Sequence, residues 1–155
     1  MSTTKVNADV MDLTDAYAFT GAVSGAGKVV QVVNVQDGAV ATTTTLMPWD
    51  NTIPQNTEGG EFMTLAITPT NASNILQIDV VIHVSGGNTG HSVTAGLFQD
   101  STAGALAAAG TYTAHASRSH PTVFSHRMSA GTASATTFKV RAGNSGAGTF
   151  TFNGG

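Results

Sequence analysis

The stretch at 74–85, "NILQIDVVIHVS", constrains the fold more than any other part of the chain. Leu76, Ile78, Val80, Ile82 and Val84 fall on one side of it. Gln77, Asp79, His83 and Ser85 share the other with Ile75 and Val81. Apolar residues at every second position build a pleated strand with one face in a core, whereas a helix would need spacings of three and four. The mixed opposite face suits solvent or a neighbouring subunit.

Shorter runs repeat the pattern. "EFMTLAIT", "HSVTAGLFQ", "TYTAHAS", "TVFSHRMS", "TTFKVRAG" and "TFTF" each read as a strand, with Phe138, Val140 and Ala142 opposite Lys139 and Arg141. Turn residues separate them: "PTNAS", "GGNTG" and the pair Asp37-Gly38, which signals a hairpin between "VVQVVNVQ" and "AVATTTTL". The run "STAGALAAAG" has room for a turn or two of helix, capped by Ser101 or Thr102. Eight to ten short strands with turns every 8–12 residues predict an all-β, antiparallel β-sandwich of jelly-roll type.

Composition agrees. The 155 residues suffice for one domain, and 24 threonines and 18 glycines supply strand and turn formers. Charged residues are only 10% of the chain, well below the typical ~25%. Three lysines and three arginines are scattered singly and the net charge is -3, so no basic face is available for nucleic acid. With so little charge on its surface, the chain is expected to bury much of that surface in an oligomer.

The familiar catalytic patterns fail in detail. "GAVSGAGKV" places five residues between Gly21 and the Gly27-Lys28 pair, where a phosphate loop has four, and Val29 stands where Ser or Thr would hold magnesium. "GNSGAG" puts Ala147 at the last glycine of a nucleophile elbow. There is no cysteine for a disulfide, a thiolate site or thiol chemistry, and no apolar run of membrane-spanning length. His83, His91, His115, His120 and His126 contain no His-x-His pair, although threefold symmetry could gather one histidine from each of three chains. Asp50, Glu58, Glu61, Asp79 and Asp100 are the carboxylates that glycoside cleavage would have to use. No enzyme activity, cofactor or metal is expected.

Two segments stand apart. "TTTTLMPWDNTIPQNTEGGEF" holds the only tryptophan, two prolines and a Gly-Gly pair, and loops so long usually have a function. Trp49 and Ile53 are its candidate assembly residues, with sugar stacking on Trp49 as the other reading. Residues 1–28 have short apolar groups (Val10, Leu13, Tyr17 and Phe19) and end in a Gly/Ala/Ser stretch. This piece cannot make a core alone and reads as an N-terminal attachment arm, hinged at Gly25–Gly27, ahead of a module at 29–155.

Three phrases taken together, "DNTIPQNTEGGEFMTLAITPTNASNILQIDVVIHVS", "GLFQDSTAGALAA" and "MSAGTASATTFKVRAGNSGAGTFTFNG", resemble a module of tailed-bacteriophage fibre and tail structural proteins from marine and environmental phages. The resemblance covers about residues 30–154. Residues 1–28, with "LTDAYAFTGAVSGAG", resemble the attachment segments of such fibres. It implies a virion component made in the host cytoplasm, a homotrimer joined to other virion proteins through its arm, with loops that contact a host glycan or protein. It carries over no active site. A capsid head fibre or decoration protein is the alternative placement, and a stand-alone carbohydrate-binding module is the rival from another class. Related modules continue after "FNG" into a glycine-rich turn and a further strand, where this sequence ends at Gly155.

Overall fold

The computed structural model describes residues 29–88, 90–113 and 115–155. Among them every regular element is a strand: β1 Ala41–Thr43, β2 Gly60–Ile67, β3 Ile75–Ser85, β4 His91–Gln99, β5 Ala107–Thr113, β6 His120–Ser129, β7 Thr136–Asn144 and β8 Phe150–Phe152. They form two four-stranded antiparallel sheets, ordered β1-β8-β3-β6 and β2-β7-β4-β5, packed face to face as a β-sandwich. The pairs β4–β5, β3–β6, β2–β7 and β1–β8 nest about one centre, as in a long hairpin rolled up on itself. The first and last strands therefore meet: β1 lies on β8, which in turn lies on β3.

Alternation decides the interior. Val80, Ile82 and Val84 of β3 point inward, with Leu76 and Ile78 half-buried behind them. Val93, Ala95 and Leu97 of β4 and Phe138, Val140 and Ala142 of β7 close the opposite wall. On β8, Phe150 and Phe152 are both buried. Removing this apolar area from water, at about 25 cal/mol per Å², is the main term favouring the fold. The outward residues Ile75, Gln77, Asp79, Val81 and His83 are exposed as the alternation demands, but Ser85 is buried.

One irregularity adjusts the packing. The β2–β7 register slips between Glu61 and Met63, leaving Phe62 as an extra residue in the ladder. Such a bulge lets two successive side chains turn the same way. Phe62 stacks on Phe152, with ring centroids 5.0 Å apart, and tilts against Phe150 at 5.4 Å, joining the two sheets near β1.

Two local expectations are corrected. The valine run before Asp37 forms no strand, so no hairpin springs from Asp37-Gly38; β1 pairs with β8 at the other end of the chain instead. Asp37 is still held locally: its Oδ1 accepts from the Ala39 amide at 2.8 Å, and the Asn153 side chain donates to the Asp37 carbonyl at 2.6 Å. The helix expected in "STAGALAAAG" is absent, and Ser101 and Thr102 cap nothing. Residues from Ala107 onward pair with β4, from Leu97↔Ala107 to His91↔Thr113, because a ladder on a buried strand outweighs the helix preference of alanine. The proposed arm, with Val10, Leu13, Tyr17 and Phe19, lies outside the described residues.

Gly143 marks where the sheet tolerates no side chain. A Cβ there would lie 2.7 Å from the Thr45 carbonyl oxygen and 3.1 Å from the Met47 nitrogen, both backbone atoms. Gly143→Ala should cost about 2 kcal/mol through overpacking. Gly38→Ala, with open space around it, should be near neutral. Urea unfolding of the two variants checks the contrast.

Candidate binding and assembly surface

The long loop at 44–59 is fastened to its own sheet at both ends. Met47 is fully buried, and its amide donates to the Asn144 carbonyl at 2.9 Å. Arg141 reaches over from β7, its Nε donating to the Glu58 carbonyl at 2.8 Å and its Nη2 to the Gly59 carbonyl at 2.6 Å. A charged donor on two backbone carbonyls is stronger than a neutral pair and fixes the loop's return into β2.

The middle of the loop packs along the β4–β5 turn. The Asn56 amide donates to the Ala103 carbonyl at 2.7 Å, and its side chain donates to the carbonyls of Ser101 and Thr102. Ala105 donates to the Pro54 carbonyl at 2.9 Å. This double seam covers the outer face of β4, so Phe98 is buried although it points away from the sandwich interior. A loop this ordered holds its tip in one place.

At that tip the two singled-out residues remain open, Trp49 at 57% and Ile53 at 62% exposure. The Trp49 ring lies directly over Gly110 on β5, where any Cβ would collide with it. Gly110 and Tyr112 share the outward face of β5, and Tyr112 is exposed as well. Sequence reading singled out Trp49 but gave Tyr112 no role; the two-residue spacing on β5 is the signal that would have linked it to that face.

The carboxylates are spread and engaged. Asp50 accepts from the Thr52 hydroxyl and amide, which hold its carboxyl below the usual range. Glu58 accepts from the Gln55 amide, and Asp79 from the Gln77 side chain. Glu61 faces Lys139 at 3.3 Å and Arg141 at 3.4 Å. Burial works to raise its pKa, but the Thr64 hydroxyl and the two cations outweigh that and lower it. Asp100 accepts from the Thr137 amide and the Thr136 hydroxyl, in that order of effect, and is also lowered. Glu61 and Asp100 line one shallow cleft with Asn56, Ser101 and both cations. Cleavage of a glycoside needs one carboxyl kept protonated, whereas in this cleft Glu61 and Asp100 are both lowered. His120 and His126 share β6, while His83 is on β3, His91 on β4 and His115 between β5 and β6, and among the described residues no three metal-binding side chains gather.

Asp100 has a positive φ of 50°, a conformation asparagine also tolerates, so Asp100→Asn isolates the charge. Its lowered pKa means the stabilisation is present above the unfolded value of about 3.9 and lost as pH falls through the folded one. The gap in urea midpoint between the wild type and Asp100→Asn should be constant from neutral pH down to about pH 5 and shrink as the pH falls past the unfolded value. Gly110→Ala should displace the only tryptophan and shift its fluorescence while the far-ultraviolet circular dichroism is kept.

No known protein-family model matches this chain and no curated protein matches it, so the surface itself carries the functional argument.

Proposed function

We propose that the chain is a structural component of a tailed-bacteriophage virion, a homotrimeric jelly-roll module. Residues 1–28 attach it to other virion proteins, and its loops face the host surface. The observation that carries the reading is the set of β-branched side chains left exposed on a molecule with little charge, among them Val29, Val32, Ile75, Val81 and Val123. A protein working alone in water seldom leaves so many apolar side chains open, and copies or partners that cover them remove the cost. The resemblance of residues 30–154 to phage fibre modules supports the same reading. The rolled nesting of the strands supports the jelly-roll assignment. In this role the protein needs no catalytic group, cofactor or metal, and the ordered loop serves contact with another surface.

Trp49 and Tyr112 favour a second reading for the loop tip. Two exposed rings by one face of β5 form a platform for the apolar face of a sugar, which fits host-glycan adhesion or a stand-alone carbohydrate-binding module.

Removing residues 1–28 should leave a folded module that no longer joins phage particles. Full incorporation of the truncated protein would contradict the arm's role. Trp49→Ala should weaken self-association while the thermal unfolding of the module changes little. Intact association with loss of binding on a glycan array would instead favour the sugar platform.

A further inference from the structure

β8 is too short to finish the sheet it closes. β3 runs for eleven residues and β8 for three. The two are matched only at Val84 and Ser85, with one further bond from the Asn153 amide to the His83 carbonyl at 2.9 Å. Backbone groups along a strand point alternately to its two edges. His83 points toward β8, so Gln77, Asp79 and Val81 point to the same edge, and among the described residues no strand pairs with them there.

The chain that leads into β1 runs along this gap. β1 and β3 are both antiparallel to β8, hence parallel to each other, and Ala41 lies level with Val84 through their common partner Phe152. Going back from Ala41 therefore leads down the same side of the sandwich as going back from Val84. Residues 29–35 line one cleft of about 680 Å³ with residues 75–81, over a floor of Leu97, Phe138 and Val140. They belong to no ladder, and their five valines are exposed, Val32 most at 78%. The least exposed are Val33 and Val35, which are in phase with the core-facing Ala41. An extended apolar segment beside unpaired amides and carbonyls has two gains open to it, a ladder and the removal of valine surface from water.

We propose that residues 29–35 are a strap that closes on β3 of its own chain as a parallel strand. It takes the lane that β8 leaves beside residues 75–81 and turns Val33 and Val35 over Leu97, Phe138 and Val140. Val30 and Val32 stay on the outer side, where copies or partners cover them. The strap continues directly into residues 1–28, so its closing fixes where that segment leaves the sandwich. Attachment of the arm is thereby tied to the state of the core. The closing itself does not depend on the virion reading; its use as a link to the arm does.

Amide hydrogen exchange, followed by NMR on the full-length protein, tests the closure. Gln77, Asp79 and Val81 should exchange about 100-fold or more slowly than in an unfolded chain. Val33→Asp/Val35→Asp should remove most of that protection, while Leu76 and Ile78, whose amides face β6, keep theirs. Val30→Asp/Val32→Asp should leave all five as in the wild type. Unprotected exchange at Gln77, Asp79 and Val81 in the wild type overturns the proposal. So does protection that Val33→Asp/Val35→Asp leaves intact. A double variant that loses Leu76 and Ile78 as well has unfolded, and the wild-type rates then decide together with disulfides, which a chain without cysteine reports cleanly. For these, Val35→Cys is combined in one chain with Leu76→Cys, Ile78→Cys or Val80→Cys and oxidised. At least one combination should close within the chain. Bonds that form only between chains, or none at all, overturn the proposal. If the strap closes in a protein that never enters phage particles, the strap stands and the virion assignment falls.

Discussion

The mismatch between an eleven-residue β3 and a three-residue β8 shapes much of the molecule. β3 is the spine of its sheet, paired with β6 over ten residues from Ile75↔Ser129 to Val84↔His120. On its other side the roll is complete only at one end, where β8 and β1 bring Phe150 and Phe152 over Val84 and against Phe62. There Val84, Phe150 and Phe152 are fully buried. Toward Ile75 the second sheet continues through β2, but among the described residues no strand pairs with the edge of β3 opposite β6, and Leu76 and Ile78 are only half-buried. One end of the sandwich is closed by its own strands and the other is left apolar and unpaired.

The opposite side of the molecule is finished differently. Met47, Asn56 and Arg141 fasten the long loop over β4, bury Phe98, and hold Trp49 on Gly110. Backbone carbonyls that the loop would expose are taken up by a guanidinium and a carboxamide, which makes a long connection rigid without a core of its own. The protein thus has a stiff, aromatic, displayed face and an open, valine-rich one. That division suits a module that joins copies on one side and meets another surface on the other.

Much of the fold was legible because the strands alternate cleanly. The runs read at β2, β3, β4, β6, β7 and β8 each correspond to a strand, "TYTAHAS" supplies only the last three residues of β5, and the inward set of β3 and β7 follows from period two alone. What misled was local preference without knowledge of partners. "VVQVVNV" looks like half of a hairpin because its composition is that of a strand, yet a strand exists only where a ladder is offered. "ALAAAG" looks helical because alanine is the best helix former, yet the edge of β4 offers a ladder. The docking of the loop could not be read at all, since Arg141 and the carbonyls of Glu58 and Gly59 are more than eighty residues apart in sequence and nothing in either segment signals the other. Trp49 was legible as special by its rarity, and Tyr112 only once β5 placed it on the same face.

Self-association is the claim on which the functional account turns, because the exposed valines of residues 29–35, with Ile75, Val81 and Val123, are costly to a solitary chain and harmless where copies cover them. Light scattering on the full-length protein after size exclusion tests it most directly. The account predicts a stable species near three times the 15.7 kDa chain, held at low concentration. A species at 15.7 kDa that stays monomeric as the concentration is raised would contradict it.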